Sequence, residues 1–168
     1  MRIKDFPRLG AQMLIVMSLL LANTSSVAAG GGKDGGYIGE VSVSVTYPPE
    51  GSDASLSLPG GGTATATAQL AWNQSLMDGI AKSSLSSNTV GNYYLCARVE
   101  ELYMNGVPQG GTGNNCGTRG PGGSITAKKS KAVASVFGKT WQVNTRHSFE
   151  KQGWSGWYPT GQAGPISL

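Results

Sequence analysis

The sequence has 168 residues, enough for one domain with a hydrophobic core and too few for two. Its 13 Lys and Arg against 9 Asp and Glu give a net charge of +4. Without the basic N-terminal segment 1–29 the counts are 10 and 8 and the net charge is only +2, too small an excess for the clustered basic surface that nucleic-acid binding requires. With 1 His and 2 Cys the chain also has too few ligands for a zinc site, so we expect no nucleic-acid partner, metal or cofactor.

The N-terminus has the pattern of a secretory signal peptide. Basic residues precede an apolar run at 13–22, which at helical rise would reach only about 15 Å of a hydrocarbon core about 30 Å thick. Small residues at 26–29 then fit a cleavage site, although an uncleaved membrane anchor is the alternative. We predict a secreted (extracellular or periplasmic) protein with no membrane span in the mature chain, divided into a signal peptide at 1–29, a flexible Gly-rich leader at 30–36 and one domain at 37–168.

The first half of this domain contains two segments with the two-residue alternation of half-buried strands, 37–47 and 63–72. In the second segment Thr alternates with Ala, and these small side chains could accept a large residue from a facing sheet, with Trp141 as the candidate. Leu56 and Leu58 suggest a brief edge strand. Over 73–88 a glycine and a serine run favour a loop with at most one helical turn.

Alternation resumes at 92–104 and changes phase at Glu100 and Glu101, which predicts a β-bulge. Cys96 lies on the non-core face of this strand. In an oxidising compartment a disulfide to Cys116 is expected, tying the Gly-rich loop 106–123 over the strand and contributing about 3 kcal/mol. A loop of this length and composition is either functional or mobile.

The clearest pattern runs from Lys131 to Glu150 and predicts a β-hairpin. Gly138 and Lys139 suit a two-residue type II′ turn, because Gly tolerates the positive φ of its first position. The register would place Lys131 opposite Arg146. After the turn, alternation directs one set of side chains toward the core: Trp141, Val143, Thr145, His147 and Phe149.

Short strands, Gly- and Pro-rich turns and almost no helical periodicity indicate an all-β protein. The architecture they favour is an antiparallel β-sandwich, Ig-like or Greek-key, with one disulfide and an N-terminal signal peptide.

Two groups of residues are candidate binding sites. Trp154, Trp157 and Tyr158 lie on a Gly-punctuated segment and offer large aromatic faces for a sugar ring or a protein partner; the alternative is that they close an open end of the fold. The predicted hairpin would also gather four cations that could hold an anionic partner or form a solvated face: Lys128, Lys129, Lys131 and Arg146.

Catalytic machinery is thin. His147 is the only imidazole, and no motif supplies the carboxylate and nucleophile that a hydrolase would add to it, so a structural role is favoured and no catalytic residue is assigned. We predict a secreted, non-enzymatic protein that binds a glycan, a cell-wall component or a protein. Two alternatives are an inhibitor or toxin-like factor acting through the disulfide-tied loop and, less favoured, a hydrolase.

Overall fold

The computed structural model describes residues 36–49, 51 and 57–168, together with the backbone of 24–28. These residues contain no helix, and hence none that could span a membrane. They form ten strands, which are β1 (Thr24–Ala28), β2 (Gly39–Tyr47), β3 (Ala64–Trp72), β4 (Leu76–Leu85), β5 (Tyr93–Met104), β6 (Val107–Pro108), β7 (Asn115–Arg119), β8 (Ser124–Ala132), β9 (Thr140–Glu150) and β10 (Thr160–Ser167).

The strands form two antiparallel sheets. The first has the order β1-β2-β3-β4-β8, and the second has the order β10-β9-β5-β6 with β7 also paired to β5. The prediction of an all-β, antiparallel fold is therefore confirmed. Apart from β1, the predicted signal peptide and most of the leader lie outside the described residues, as does Leu56. Leu58 is buried in a turn, where its carbonyl accepts the Gly61 N–H at 2.8 Å. The edge strand predicted at Leu58 is therefore not present.

The prediction of a loop over 73–88 is wrong, because β4 occupies most of these residues. Asn73 starts the strand by a tight turn: its side-chain oxygen accepts the N–H groups of Ser75 and Leu76 at 3.0 and 2.8 Å. Along β4 the residues that face the second sheet are Met77, Gly79, Ala81, Ser83 and Leu85. The alternation is present, but Gly, Ala and Ser at three of its five inward positions conceal it.

The hairpin predicted for 131–150 is also wrong, since β8 pairs with β4 in the first sheet and β9 pairs with β5 and β10 in the second. The connection between them crosses from one sheet to the other. Gly138 does have positive φ, at 71°, but its N–H bonds to the Leu168 carbonyl at 2.6 Å instead of closing a hairpin. Val136 in this connection is buried and its carbonyl accepts the Trp141 indole N–H at 3.1 Å.

The inward face of β9 is as predicted: all five side chains named for it are buried, and Trp141 and Val143 have no exposed surface. They belong to the same core cluster as the alanines of β3, Ala64, Ala66 and Ala68. The two sheets come close together at Gly79, where an added Cβ would lie 2.8 Å from Val143 Cγ2 and 3.2 Å from Leu102 Cδ1. The absence of a side chain at Gly79 therefore permits this contact.

The outer edge of β5 is covered by residues 107–119. β7 pairs with its first half, where Cys96 lies directly opposite Cys116 and forms the predicted disulfide, and β6 pairs with its end. Between them, Thr112 N–H and Gln109 N–H bond to the carbonyls of Val99 and Leu102 at 2.8 and 2.7 Å. The predicted bulge is confirmed by the register shift between Val99 and Glu101.

Replacing Gly79 with Val should lower the free energy of unfolding by about 1–3 kcal/mol, because the added methyl groups would overlap Val143. Urea denaturation followed by tryptophan fluorescence measures the change. Gly113→Val is the matched control: no atom lies within 4 Å of a Cβ at that position, so its effect should stay within about 0.5 kcal/mol. Equal effects of the two variants would contradict the close approach of the sheets.

Replacing both cysteines with Ser should lower the free energy of unfolding by about 2–4 kcal/mol, because the cross-link closes a loop of 20 residues. Amide hydrogen exchange should rise first at 115–119, which the disulfide holds against β5. Unchanged exchange there after the substitution would show that the backbone bonds alone hold the segment.

Candidate functional site

The outer face of the second sheet carries an array of polar and aromatic side chains. Because Leu95 and Ala97 of β5 point inward, their neighbours point out, and β9 follows the same rule. The register sets these outward residues side by side, pairing Tyr94 with Glu150, Cys96 with Ser148, and Arg98 with Arg146, while Thr160 of β10 lies on the other side of Arg146.

This face is concave. Two adjoining depressions of about 500 and 440 Å³ share Glu150 and Tyr158 in their walls, so they form one groove. The first is lined by Cys96, Asn114, Arg146, His147, Ser148, Glu150, Tyr158 and Thr160, and the second by Asn92, Tyr94, Thr118, Glu150, Lys151, Gln152, Trp154 and Tyr158. We refer to the two together as the sheet groove.

The three aromatics of the predicted 154–158 surface have different environments. Tyr158 is 59% exposed in the wall of the sheet groove. Trp154 is half-buried and lines the second depression, with its ring 5.8 Å from that of Tyr47. Trp157 instead packs on Phe149 with the ring centroids 4.9 Å apart and exchanges two backbone hydrogen bonds with it, each 2.9 Å.

Two arginines lie next to each other on this face, Arg146 in the wall of the sheet groove and Arg98 beside it on β5. Arg146 is paired with Glu100, Nη2 to Oε1, at 2.9 Å. The neighbouring Arg98 has a buried Nε with no hydrogen-bond partner among the described residues. Like charges on neighbouring strands repel, and of these two only Arg146 has a carboxylate partner among the described residues.

The four predicted cations do not form one patch. Lys128, Lys129 and Lys131 lie on β8 in the first sheet, where Lys131 is opposite Met77, whereas Arg146 lies in the second sheet. Lys128 forms an ion pair with the buried Asp78 at 3.3 Å.

Asp78 also accepts a hydrogen bond from the Tyr37 hydroxyl. Burial of Tyr37, this hydrogen bond and the charge of Asp78 together raise the pKa of Tyr37 to about 12. Tyr37 therefore stays protonated and covers the carboxylate on the outer face of the first sheet.

His147 is buried and both of its ring nitrogens have partners. Nδ1 lies 3.0 Å from Ser83 Oγ and Nε2 lies 2.9 Å from Thr145 Oγ1. Ser83 donates its own proton to the Cys96 carbonyl at 2.7 Å and has no exposed surface, so the serine of this Ser–His pair is not presented as a nucleophile. Burial lowers the pKa of His147 to about 4, which keeps the ring neutral. The geometry supports a structural role.

No group of His, Cys, Asp or Glu with the proximity of a metal site occurs among residues that the structure describes. Comparison with protein-family models, curated proteins and solved structures gives no match to this chain.

Sequence analysis did not single out several residues of the sheet groove, or Arg98 beside it. Tyr94 and Arg98 could have been found from the sequence, because they share the outward face of β5 with Cys96. Asn114 could not be found in this way, because it comes from a segment without regular alternation. Thr160 could not be found either, because only the fold shows which strand pairs with β10.

The protein should lose stability as the pH falls from about 6.5 toward 4. The unfolded chain binds a proton at His147 in this range and the folded chain does not, so acid favours unfolding by about 2 kcal/mol between pH 7 and 5. Urea denaturation at pH 7, 6 and 5 measures this loss. Because the chain has 1 His, the variant His147→Gln should show a much smaller change, and an equal change would contradict the assignment.

Proposed function

We propose that this chain is an exported, non-enzymatic β-sandwich that binds a glycan in the sheet groove. The observation that carries the proposal is that exposed Tyr94 and Tyr158, 47% and 59% exposed, stand in one groove with the hydrogen-bonding side chains of Arg146, Ser148 and Glu150. Aromatic faces pack against the apolar faces of sugar rings, and planar polar groups bind sugar hydroxyls. Export is supported by the disulfide, which forms in oxidising compartments.

The arginines favour a glycan that carries carboxylate or sulfate groups. Arg98 has no carboxylate partner among the described residues, whereas the charge of the neighbouring Arg146 is balanced by Glu100. An anionic group on the ligand would balance the charge of the second arginine, and charge-assisted hydrogen bonds are stronger than neutral ones. We therefore propose an acidic oligosaccharide as the ligand class.

The alternatives draw less support from the geometry. Residues 107–119 lie along β5, bonded to it from end to end, so they do not present the protruding segment that an inhibitor would use. A glycoside hydrolase needs two carboxyl groups about 5–10 Å apart. Of the described residues lining the groove, Glu150 alone carries one.

The experiment compares binding of an oligomer of uronic acids with binding of the same oligomer after methyl esterification, by isothermal titration calorimetry. Tyr158→Ala should weaken binding of both by about tenfold or more while leaving stability unchanged, because the ring is largely exposed. Its neighbour gives the opposite expectation: Trp157→Ala should lower stability, since this ring packs on Phe149 and Tyr47. Phe137→Ala, 47% exposed and absent from the groove, is the binding control.

Arg98→Gln should weaken binding of the acid form by about tenfold to hundredfold and leave the methyl ester unaffected. Lys131→Gln, on the other sheet, is its matched control. Absence of binding by the wild type, or full affinity in Tyr158→Ala, would overturn the proposed site. Loss of affinity in Lys131→Gln alone would move the anion site to the β8 edge.

A further inference from the structure

We propose that the exported protein is a dimer in which the β2 edges of two copies pair with each other. The proposal depends on removal of the signal peptide, which is part of the proposed function, but not on glycan binding in the sheet groove. It rests on three features of the first sheet: the position of β1, the protection of the other sheet edges and the sequence of β2.

β1 is the strand that would be lost on export. It pairs antiparallel with β2 from Thr24 opposite Ser44 to Ala28 opposite Glu40. These five residues fall inside the predicted signal peptide, and cleavage after Ala28 or Ala29 removes all of them. The backbone N–H and C=O groups that β2 directs at β1 then need a new partner.

The other edges of the two sheets are protected against pairing. On β8 three lysines within four residues, Lys128, Lys129 and Lys131, place charge along the edge. On β10 the pairing shifts register between Ala163 and Ile166, around Gly164 and Pro165, and Pro cannot donate a ladder hydrogen bond. Beyond β5 the second sheet ends at β6 and β7, which are short, with 2 and 5 residues.

The β2 edge has none of these features. Its central segment, residues 41–46, reads VSVSVT and contains no charge, Pro or Gly. Alternating Val with Ser and Thr favours strand pairing. An exported chain with this edge uncovered would therefore carry one long unprotected edge among several protected ones, which is the pattern of an edge reserved for a partner.

The partner that fits this edge is a second copy, because the segment is self-complementary. A two-fold axis through Val43 sets Val41 opposite Val45 of the other copy and Ser42 opposite Ser44. Valines then meet on the inner face and serines on the outer face. Pairing would also cover the open rim beside β10, where Val43 and Val45 line a depression of about 420 Å³.

The test uses the protein exported and processed by a bacterial host, with its N-terminus determined by mass spectrometry. Light scattering after size exclusion should give twice the mass of one chain. A chain that keeps residues 24–168 should be monomeric, because β1 occupies its own β2 edge. A monomeric processed chain overturns the proposal and means that this edge stays open or is filled by residues of the same copy.

Two further variants locate the interface. Val43→Lys puts an inward-pointing charge on the edge and should convert the dimer to a monomer, while Thr126→Lys, exposed on β8, should not. Mild oxidation of Ser42→Cys mixed with Ser44→Cys should cross-link the two chains, with much less product from either alone, whether or not Val43→Lys folds. A dimer that resists Val43→Lys and does not cross-link in the mixture would overturn β2 pairing. Binding of a short glycan that fills one sheet groove, measured separately, tests the proposed function and not β2 pairing.

Discussion

The close approach of the two sheets at Gly79 is the constraint on which the rest of the structure depends. A Cβ there would lie 2.8 Å from Val143 Cγ2, so even alanine would require movement of a buried side chain. Along β4 the inward residues at 79, 81 and 83 are small, and the large side chains of Val143 and Leu102 of the second sheet come close to Gly79. Close packing is kept there because a small residue faces large ones.

This packing fixes the side of the second sheet on which the candidate site forms. Once Leu95 and Phe149 are committed to the interior, Tyr94 and Ser148 must point out. The bulge between Val99 and Glu101 adds one residue, keeps Leu102 inward and brings Glu100 to Arg146. The Glu100 carboxylate is thus paired with Arg146, while the Nε of Arg98 has no hydrogen-bond partner among the described residues.

The same constraint explains which parts of the fold could be predicted from sequence. β9 was predictable from the sequence because Trp141, Val143 and Phe149 alternate with polar residues. β4 was not, because packing against those large residues requires Gly79, Ala81 and Ser83, which carry little hydrophobic signal. The turn glycine at 138 revealed its own positive φ, which is local, but the partners of β8 and β9 depend on distant strands.

The site was partly predictable for a related reason. Alternation alone places Tyr94 and Arg98 on the outer face, and the exposure of Tyr158 agrees with its predicted surface position. The sequence does not show that Trp157 is packed and Tyr158 exposed, because the difference comes from a pair of backbone hydrogen bonds between Trp157 and Phe149. The cations of β8 and β9 were grouped only by the mistaken hairpin, so their separation follows from the true strand pairing.

Residues 107–119 link the groove to the proposed dimer. By pairing along β5 they protect that edge, and by the disulfide and Asn114 they also form one wall of the sheet groove. In the proposed dimer the two copies pair at β2, which belongs to the first sheet, whereas the sheet groove lies on the outer face of the second sheet. A dimer with two grooves gains avidity for a polymer that repeats its binding unit, because the second contact is made at high effective concentration. Pairing at the β2 edge and an acidic glycan ligand are thus physically compatible, although each stands on separate residues.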